Sequence, residues 1–131
     1  MDTQKQFTIL VVEDDKCACE LLTALLKLRF PQALICFAAD GNSGLDAVRR
    51  TQPDIVITDI NMPEMDGFQL INNIAAIKQD TRIIVVTAHS DKQILDRITA
   101  LEVPVEIVLK PIVFDTLIAA IKQSADFIPQ I

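Results

Sequence analysis

The stretch that decides the fold is Pro53-Asp54-Ile55-Val56-Ile57-Thr58-Asp59-Ile60-Asn61-Met62-Pro63, an apolar run that ends in a carboxylate. A continuous apolar run of this length is typical of a strand buried on both faces in a parallel sheet. Asp59 would stand at the carboxyl end of that strand. Because ligands bind at this edge of open α/β sheets, the sequence predicts that Asp59 is a reaction site.

Length and composition indicate one globular domain. The chain has 131 residues, of which 50% are hydrophobic, so it can bury a core, and we expect a single domain over residues 1–131. It contains no run approaching the roughly 18 apolar residues of a membrane span. Residues 1–6 lack the basic-then-apolar layout of a secretory signal. The sequence therefore predicts a cytoplasmic protein with no membrane segment.

The net charge and the cysteine spacing indicate which kinds of binding partner to expect for this chain. A net charge of −6 is the opposite of the Lys and Arg clustering of a nucleic-acid surface, so no direct nucleic-acid binding is expected. Partners are expected to be proteins or cations. The three cysteines, Cys17, Cys19 and Cys36, lack metal-ligand spacing and are predicted to be reduced core or surface thiols.

Strand-like and helix-like segments alternate along the chain. Five runs rich in β-branched residues are predicted strands: Thr8 to Val12, Leu34 to Ala38, Ile55 to Thr58, Arg82 to Val86 and Val105 to Leu109. In the first gap, apolar residues recur at helical steps: Ala18, Leu21, Leu22, Leu25 and Leu28. The second helix is predicted to be the shortest, Gly44 to Arg50, after the loop Asp40-Gly41-Asn42-Ser43. Five strands alternating with five helices indicate a doubly wound α/β fold around a parallel sheet.

Polar residues follow four of the predicted strands. Glu13-Asp14-Asp15 follows the first, Asp59 the third, Thr87-Ala88 the fourth and Lys110-Pro111 the fifth. Because the carboxyl ends of parallel strands share one edge, we expect these residues to line one pocket. Clustered carboxylates favour a hard cation, and Mg²⁺ keeps positions open for phosphate oxygens. With a hydroxyl from Thr87 and a positive charge from Lys110, the pocket predicts phosphoryl transfer, with Asp59 as the nucleophile.

Together, these segments resemble the receiver domain of bacterial two-component response regulators, over nearly the whole chain. The matching segments are Ile9 to Asp15, Pro53 to Phe68, Val85 to Ala88 and Leu109 to Pro111. The resemblance implies a flavodoxin-like fold, with five parallel strands in the order 2-1-3-4-5 and five helices. It also implies a phosphorylation-activated signalling switch, which catalyses only its own phosphorylation and dephosphorylation and is not a turnover enzyme.

The resemblance assigns an acceptor and a metal site. Asp59 would accept a phosphoryl group from the phosphohistidine of a histidine kinase, or from a small phosphodonor. A Mg²⁺ ion would be held by Glu13, Asp14, Asp59 and the backbone carbonyl of Asn61. Asp15 would serve the start of the first helix instead.

The resemblance also assigns the remaining pocket residues and the partners. Thr87 would donate to a phosphoryl oxygen, Ala88 would leave room for it, and Lys110 would pair with the phosphoryl group. The peptide bond between Lys110 and Pro111 matches a position that is cis in the family. The implied partners are a sensor histidine kinase or phosphotransfer protein and an output domain or downstream protein. A homodimer is left open, as is whether the receiver is free-standing or part of a longer protein.

The chain departs from the family pattern at two places. The aromatic residue expected three positions before Lys110 is Ile107, so coupling between the threonine and that ring cannot operate in its familiar form. The segment Leu101 to Glu106 replaces a Gly-Ala turn, and its apolar residues are predicted either to pack or to form a surface partner site with Ile107. His89, the only histidine, is predicted to modulate the lifetime of the phosphoryl group.

Three other functions compete with a switch. A phosphatase or phosphotransferase with an aspartyl-phosphate intermediate would need a second acid two residues after the nucleophile, where this chain has Asn61. A degenerate receiver that acts only as a binding module would lack the acceptor, the lysine or the acidic pair, and all of these are present. A dinucleotide-binding domain would need a Gly-rich fingerprint, and the chain has only 3 glycines.

Overall fold

Strands and helices alternate throughout the computed structural model, which describes residues 6–77, 80–88, 92–101 and 103–125. The strands are β1 Thr8–Val12, β2 Leu34–Ala38, β3 Ile55–Asp59, β4 Arg82–Thr87 and β5 Val105–Leu109. The helices are α1 Lys16–Arg29, α2 Gly41–Thr51, α3 Gly67–Ile77, α4 Lys92–Thr99 and α5 Phe114–Ala125. The predicted alternation is confirmed, and β3 and β4 each extend one residue further than predicted.

All five strands form one parallel sheet in the order β2-β1-β3-β4-β5, which confirms the predicted topology. The register aligns Val12 with Thr58, Asp59 with Val86, and Thr87 with Leu109. Residues that follow β1, β3, β4 and β5 therefore lie at neighbouring positions along one edge of the sheet.

The core consists of two apolar layers, one on each face of the sheet. On one face, Leu22 and Leu26 of α1 and Leu117 and Ile121 of α5 pack against the strands. The other face is covered by residues of α2, α3 and α4, including Ala47, Val48, Phe68, Leu70, Ile71, Ile74 and Ile98. Strands β1 and β3 are buried along their whole length, as expected for central strands of a doubly wound fold.

The second helix differs from the prediction. It begins at Gly41 rather than Gly44, because the Asp40 carboxylate accepts a hydrogen bond from the Ser43 amide at 2.7 Å and caps a turn that the sequence analysis assigned to a loop. With 11 residues, α2 is not the shortest helix; among the described helices that is α4, with 8 residues.

The first helix begins as predicted but buries a different face. Asp15 is its N-cap and accepts a hydrogen bond from the Ala18 amide at 3.1 Å, so its expected role at the helix start is confirmed. The buried residues are Cys19, Leu22, Thr23 and Leu26. Leu21 and Leu28, which belonged to the predicted apolar periodicity, are 64% and 80% exposed.

Three further sequence predictions concern membrane-spanning helices, the cysteines and His89. Within the described ranges, no helix combines the length and the hydropathy needed to cross a membrane. The three cysteines are free thiols: Cys17 is exposed, Cys19 is buried and Cys36 is half-buried. His89 lies outside the described residues, so its predicted influence on the phosphoryl lifetime stays a prediction.

Candidate functional site

Three carboxylates meet at the carboxyl edge of the sheet. Glu13 and Asp14 directly follow β1, and Asp59 is the last residue of β3. One carboxylate oxygen from each lies within 4.8 Å of the others. Glu13 and Asp59 are only 9% and 8% exposed, whereas Asp14 is exposed. The predicted convergence of these acids is therefore present in the structure, with two of the three largely removed from water.

Lys110, which follows β5, supplies the positive charge of this cluster. Its Nζ lies 2.7 Å from Asp59 Oδ2 and 3.8 Å from Glu13 Oε1. Burial acts to lower the pKa of Lys110, but its hydrogen bond to Asp59 and the negative charges around it outweigh burial and raise that pKa. Lys110 is therefore held as an ammonium beside the carboxylate that the sequence analysis identified as the nucleophile.

Asp59 is oriented by the backbone that follows it. Its Oδ1 accepts a hydrogen bond from the Asn61 amide at 3.1 Å, while Oδ2 pairs with Lys110. The Thr58 hydroxyl donates to the Asp59 carbonyl oxygen at 2.9 Å. The side chain is thus held at both carboxylate oxygens, one through a backbone amide and one through the Lys110 ammonium.

Glu13 is held against the start of α1. Its Oε2 accepts a hydrogen bond from the Asp15 amide at 3.1 Å, and its own amide donates to the Ala38 carbonyl of β2. Burial raises the pKa of the Glu13 carboxyl above its ordinary value, against the hydrogen bond from Asp15 and the charge of Lys110. The Glu13 carboxyl therefore loses its proton less readily than a solvated glutamate, even beside Lys110.

Thr87 lies at the same edge, on the strand beside Asp59. It ends β4, is fully buried, and its carbonyl oxygen accepts a hydrogen bond from the Lys110 amide at 2.9 Å. This bond joins the end of β4 to the segment after β5. Ala88 is exposed. The expected cis peptide bond between Lys110 and Pro111 is confirmed.

Sequence reasoning missed how the loop after Asp59 is closed. The Gly67 amide donates to the Ile60 carbonyl at 2.8 Å, and a Cβ at Gly67 would lie 2.6 Å from the Asp59 carbonyl oxygen. Asp66 and Gln69 cap α3 reciprocally, each accepting from the other's amide. The Asp-x-x-Gln spacing is a local capping-box signal for this helix start, whereas the close approach of Gly67 to Asp59 has no local signal.

The structure shows the exposure of residues in the two segments where the sequence departs from the family pattern. Ile107 is 36% exposed on β5. Val103 and Val105 are half-buried and pack against the core layer that contains Phe68, while Pro104 is exposed. Both packing and surface exposure thus contribute at this segment, and its use as a partner site stays a prediction.

Comparison with known proteins agrees with this geometry. The family model for the response regulator receiver domain matches residues 9–122. This chain belongs to the response regulator receiver domain family. The signal receiver domain of a DNA binding response regulator from Colwellia psychrerythraea 34H is 32% identical and covers 92% of this chain and 99% of that chain, with a TM-score of 0.83.

Curated relatives are longer than this receiver domain. A protein-glutamate methylesterase/protein-glutamine glutaminase of Symbiobacterium thermophilum is 31% identical over 98% of this chain and 38% of that protein. A probable C4-dicarboxylate response regulator of Priestia megaterium is 29% identical over 95% of this chain and 54% of that protein. The chain spans about half or less of these relatives, and the activities in their names belong to those proteins.

Proposed function

We propose that this receiver domain is a switch controlled by Mg²⁺-dependent phosphorylation of Asp59. A carboxylate oxygen of Asp59 forms a bond to phosphorus, and the bond from phosphorus to the imidazole nitrogen of a donor phosphohistidine breaks. The donor nitrogen keeps the electron pair and is then protonated. A small phosphodonor reacts in the same way with a different leaving group.

The observation that carries the proposal is the 2.7 Å contact between Lys110 and Asp59 inside the acidic cluster. Phosphoryl transfer needs mainly positioning and neutralisation of charge on the equatorial oxygens. Lys110 supplies a cation that can move from the Asp59 carboxylate to the transferred group. Thr87, buried at the adjacent strand end, supplies the hydroxyl that donates to a phosphoryl oxygen.

The residues present fit a magnesium ion. Glu13, Asp14 and Asp59 bring three hard oxygen ligands within 4.8 Å of one another, and the backbone carbonyl of Asn61 is proposed as a fourth. Bound Mg²⁺ would supply charge neutralisation between the acceptor carboxylate and the incoming phosphoryl oxygens. The raised pKa of Glu13 supports this assignment, because a buried carboxylate without full compensation favours a cation partner.

The proposed donor is a sensor histidine kinase or a phosphotransfer protein, and the proposed target is an output domain or a downstream protein. A groove of about 320 Å³ adjoins the acceptor pocket, between α1 and the segment after β5, and includes Glu13, Leu21, Lys110 and Phe114 in its lining. Leu21 is 64% exposed there, which supports docking of a donor protein beside Lys110. We place the domain at residues 1–131 and its site of action in the cytoplasm, with no direct nucleic-acid contact.

Acceptor identity can be tested by intact mass spectrometry after incubation with Mg²⁺ and a small phosphodonor. Wild type is expected to gain the mass of one phosphoryl group, and Asp59→Asn is expected to gain none. A chelator of Mg²⁺ is expected to prevent the gain in wild type. Asp66→Asn is a matched control, since Asp66 caps α3 and asparagine caps equally well. Equal modification of Asp59→Asn, or no modification of wild type, would contradict the proposal.

A further inference from the structure

We propose that the stacking of Arg97 on Phe68 couples the acceptor strand to helix α4. The inference rests on the proposed function, because the event to be transmitted is modification of Asp59. It concerns how that event reaches a surface helix, and it assigns Phe68 and Arg97 as positioning residues that do not touch the reacting atoms.

The first link is the contact between the backbone of β3 and the start of α3. A Cβ at Gly67 would lie 2.6 Å from the Asp59 carbonyl oxygen and 2.8 Å from the Ile60 Cα. The Gly67 amide also donates to the Ile60 carbonyl at 2.8 Å. There is no free space between the two segments, so a displacement of the backbone at Asp59 displaces the first turn of α3.

The second link is the ring of Phe68, the residue after Gly67. Phe68 is 4% exposed and packs in the same apolar layer as Ile60 and Met62, which follow Asp59, and as Ile98 of α4. The guanidinium carbon of Arg97 lies 3.9 Å from the centre of the Phe68 ring, well inside the range of a cation–π contact. The ring therefore contacts Arg97 of α4 and lies in one apolar layer with residues of the loop after Asp59.

The third link is the limited attachment of α4 to the rest of the fold. Ile98 is the buried residue of α4 within 92–99, and Arg97 is its neighbour in sequence. Lys92, Gln93, Leu95, Asp96 and Thr99 are exposed. Strand β5, Val105–Leu109, contains no aromatic residue. Ile94 is half-buried and, like Ile98, packs in the apolar layer that contains Phe68, so α4 is attached through that layer and through Arg97 on the Phe68 ring. A displacement of the ring is therefore expected to displace α4.

The test is hydrogen exchange of peptides covering 92–99, with and without Mg²⁺ and beryllofluoride, in wild type, Arg97→Gln and Phe68→Leu. Wild type is expected to change its exchange in α4 several-fold on activation. Both variants are expected to lose this change while a phosphodonor still adds one phosphoryl group to Asp59. Arg49→Gln is the matched control, because Arg49 lies on α2 beside Asp46 and is expected to respond as wild type.

The outcomes separate the two proposals. An unchanged α4 response in Arg97→Gln, or modification of wild type without any change in α4, overturns the coupling alone. Absence of modification in wild type overturns the proposed function and the coupling with it. Arg97→Gln is an exposed substitution, so it keeps the test decisive if Phe68→Leu fails to fold.

Discussion

At the scale of single residues, the chemistry of the site depends on how Asp59 is restrained. Its two carboxylate oxygens are held by the Asn61 amide and by Lys110, and its backbone is pressed against Gly67. The two acids that follow β1 repel Asp59, while Lys110 attracts it. These contacts hold the Asp59 carboxylate in one position, as the proposed phosphoryl transfer to it requires.

Replacement of Gly67 by alanine should destabilise the protein and displace the backbone of Asp59, the proposed acceptor. The new Cβ would meet backbone atoms of Asp59 and Ile60, which cannot rotate away, so we expect a loss of about 1–3 kcal/mol in the free energy of unfolding. Chemical denaturation measures it. Gly44→Ala is the control, since its Cβ would meet the Val12 side chain at 3.0 Å and alanine favours a helix interior. If Gly67→Ala loses no more stability than Gly44→Ala, the close contact of Gly67 with the Asp59 and Ile60 backbone does not restrict the residue at position 67.

At the scale of elements, the N-termini of three helices and the proposed reaction site lie at the same edge of the sheet. Helices α1, α2 and α3 are each preceded by an aspartate whose side chain accepts from an amide in the first turn: Asp15 from Ala18, Asp40 from Ser43 and Asp66 from Gln69. These aspartates complement the positive end of the helix dipole. They differ from Glu13, Asp14 and Asp59, which also lie at strand ends but whose carboxylate oxygens lie within 4.8 Å of one another.

The end of α2 offers a prediction about backbone conformation. Gln52 is its C-cap and has φ 47° and ψ 63°, the left-handed region, where a Cβ costs about 1–2 kcal/mol. We expect Gln52→Gly to be about 1 kcal/mol more stable than Gln52→Ala, after the larger chain entropy of glycine is subtracted. Thermal or chemical denaturation of the pair gives this difference. Because both variants remove the same side chain beyond Cβ, equal stability would contradict the conformational explanation.

At the scale of the whole molecule, the site exists because the strand order brings distant segments together. The end of β1 lies beside the end of β3, and β4 joins β3 to β5. Glu13, Asp59 and Lys110 therefore become neighbours although they come from well-separated segments. Their charges should make the stability of the fold depend on the cation that the pocket binds.

Magnesium should stabilise the native state in a concentration-dependent way, because an ion that binds only the folded protein shifts unfolding by mass action. We expect Asp14→Asn to lose most of this rise in melting temperature. Asp15→Asn should keep it, since Asp15 caps α1 and asparagine can do the same. A thermal melt at several Mg²⁺ concentrations measures the effect, and equal responses from both variants would argue against the ligand assignment.

The same response should weaken as the pH falls. A carboxylate must lose its proton to bind a metal, and burial raises the pKa of Glu13 above its ordinary value of 4.5. Protons therefore compete with Mg²⁺ at a higher pH than they would for a solvated glutamate, and the Mg²⁺-dependent rise in melting temperature should shrink as the pH approaches that pKa from neutrality.

The features that the sequence determined by itself are those set by local motifs or by the periodicity of apolar residues. The apolar run that ends at Asp59 specified a buried strand, the run before Lys110 specified a further strand, and the alternation of such runs with helical periodicity specified the doubly wound sheet. The resemblance carried by the segments around Glu13, Asp59, Thr87 and Lys110 added the strand order. The start of α2 was misplaced because a glycine-containing segment was interpreted as a loop, although Asp40 caps it as a helix.

What only the tertiary structure decided concerns contacts between segments that no local pattern links. The buried face of α1 lies on Cys19, Leu22 and Leu26 rather than on the exposed Leu21 and Leu28, because its orientation is set by packing on the sheet. The fit of Gly67 against Asp59 and the stack of Arg97 on Phe68 likewise depend on distances across the fold. Periodicity specifies that a helix exists, whereas close packing in three dimensions selects which of its side chains meet the core.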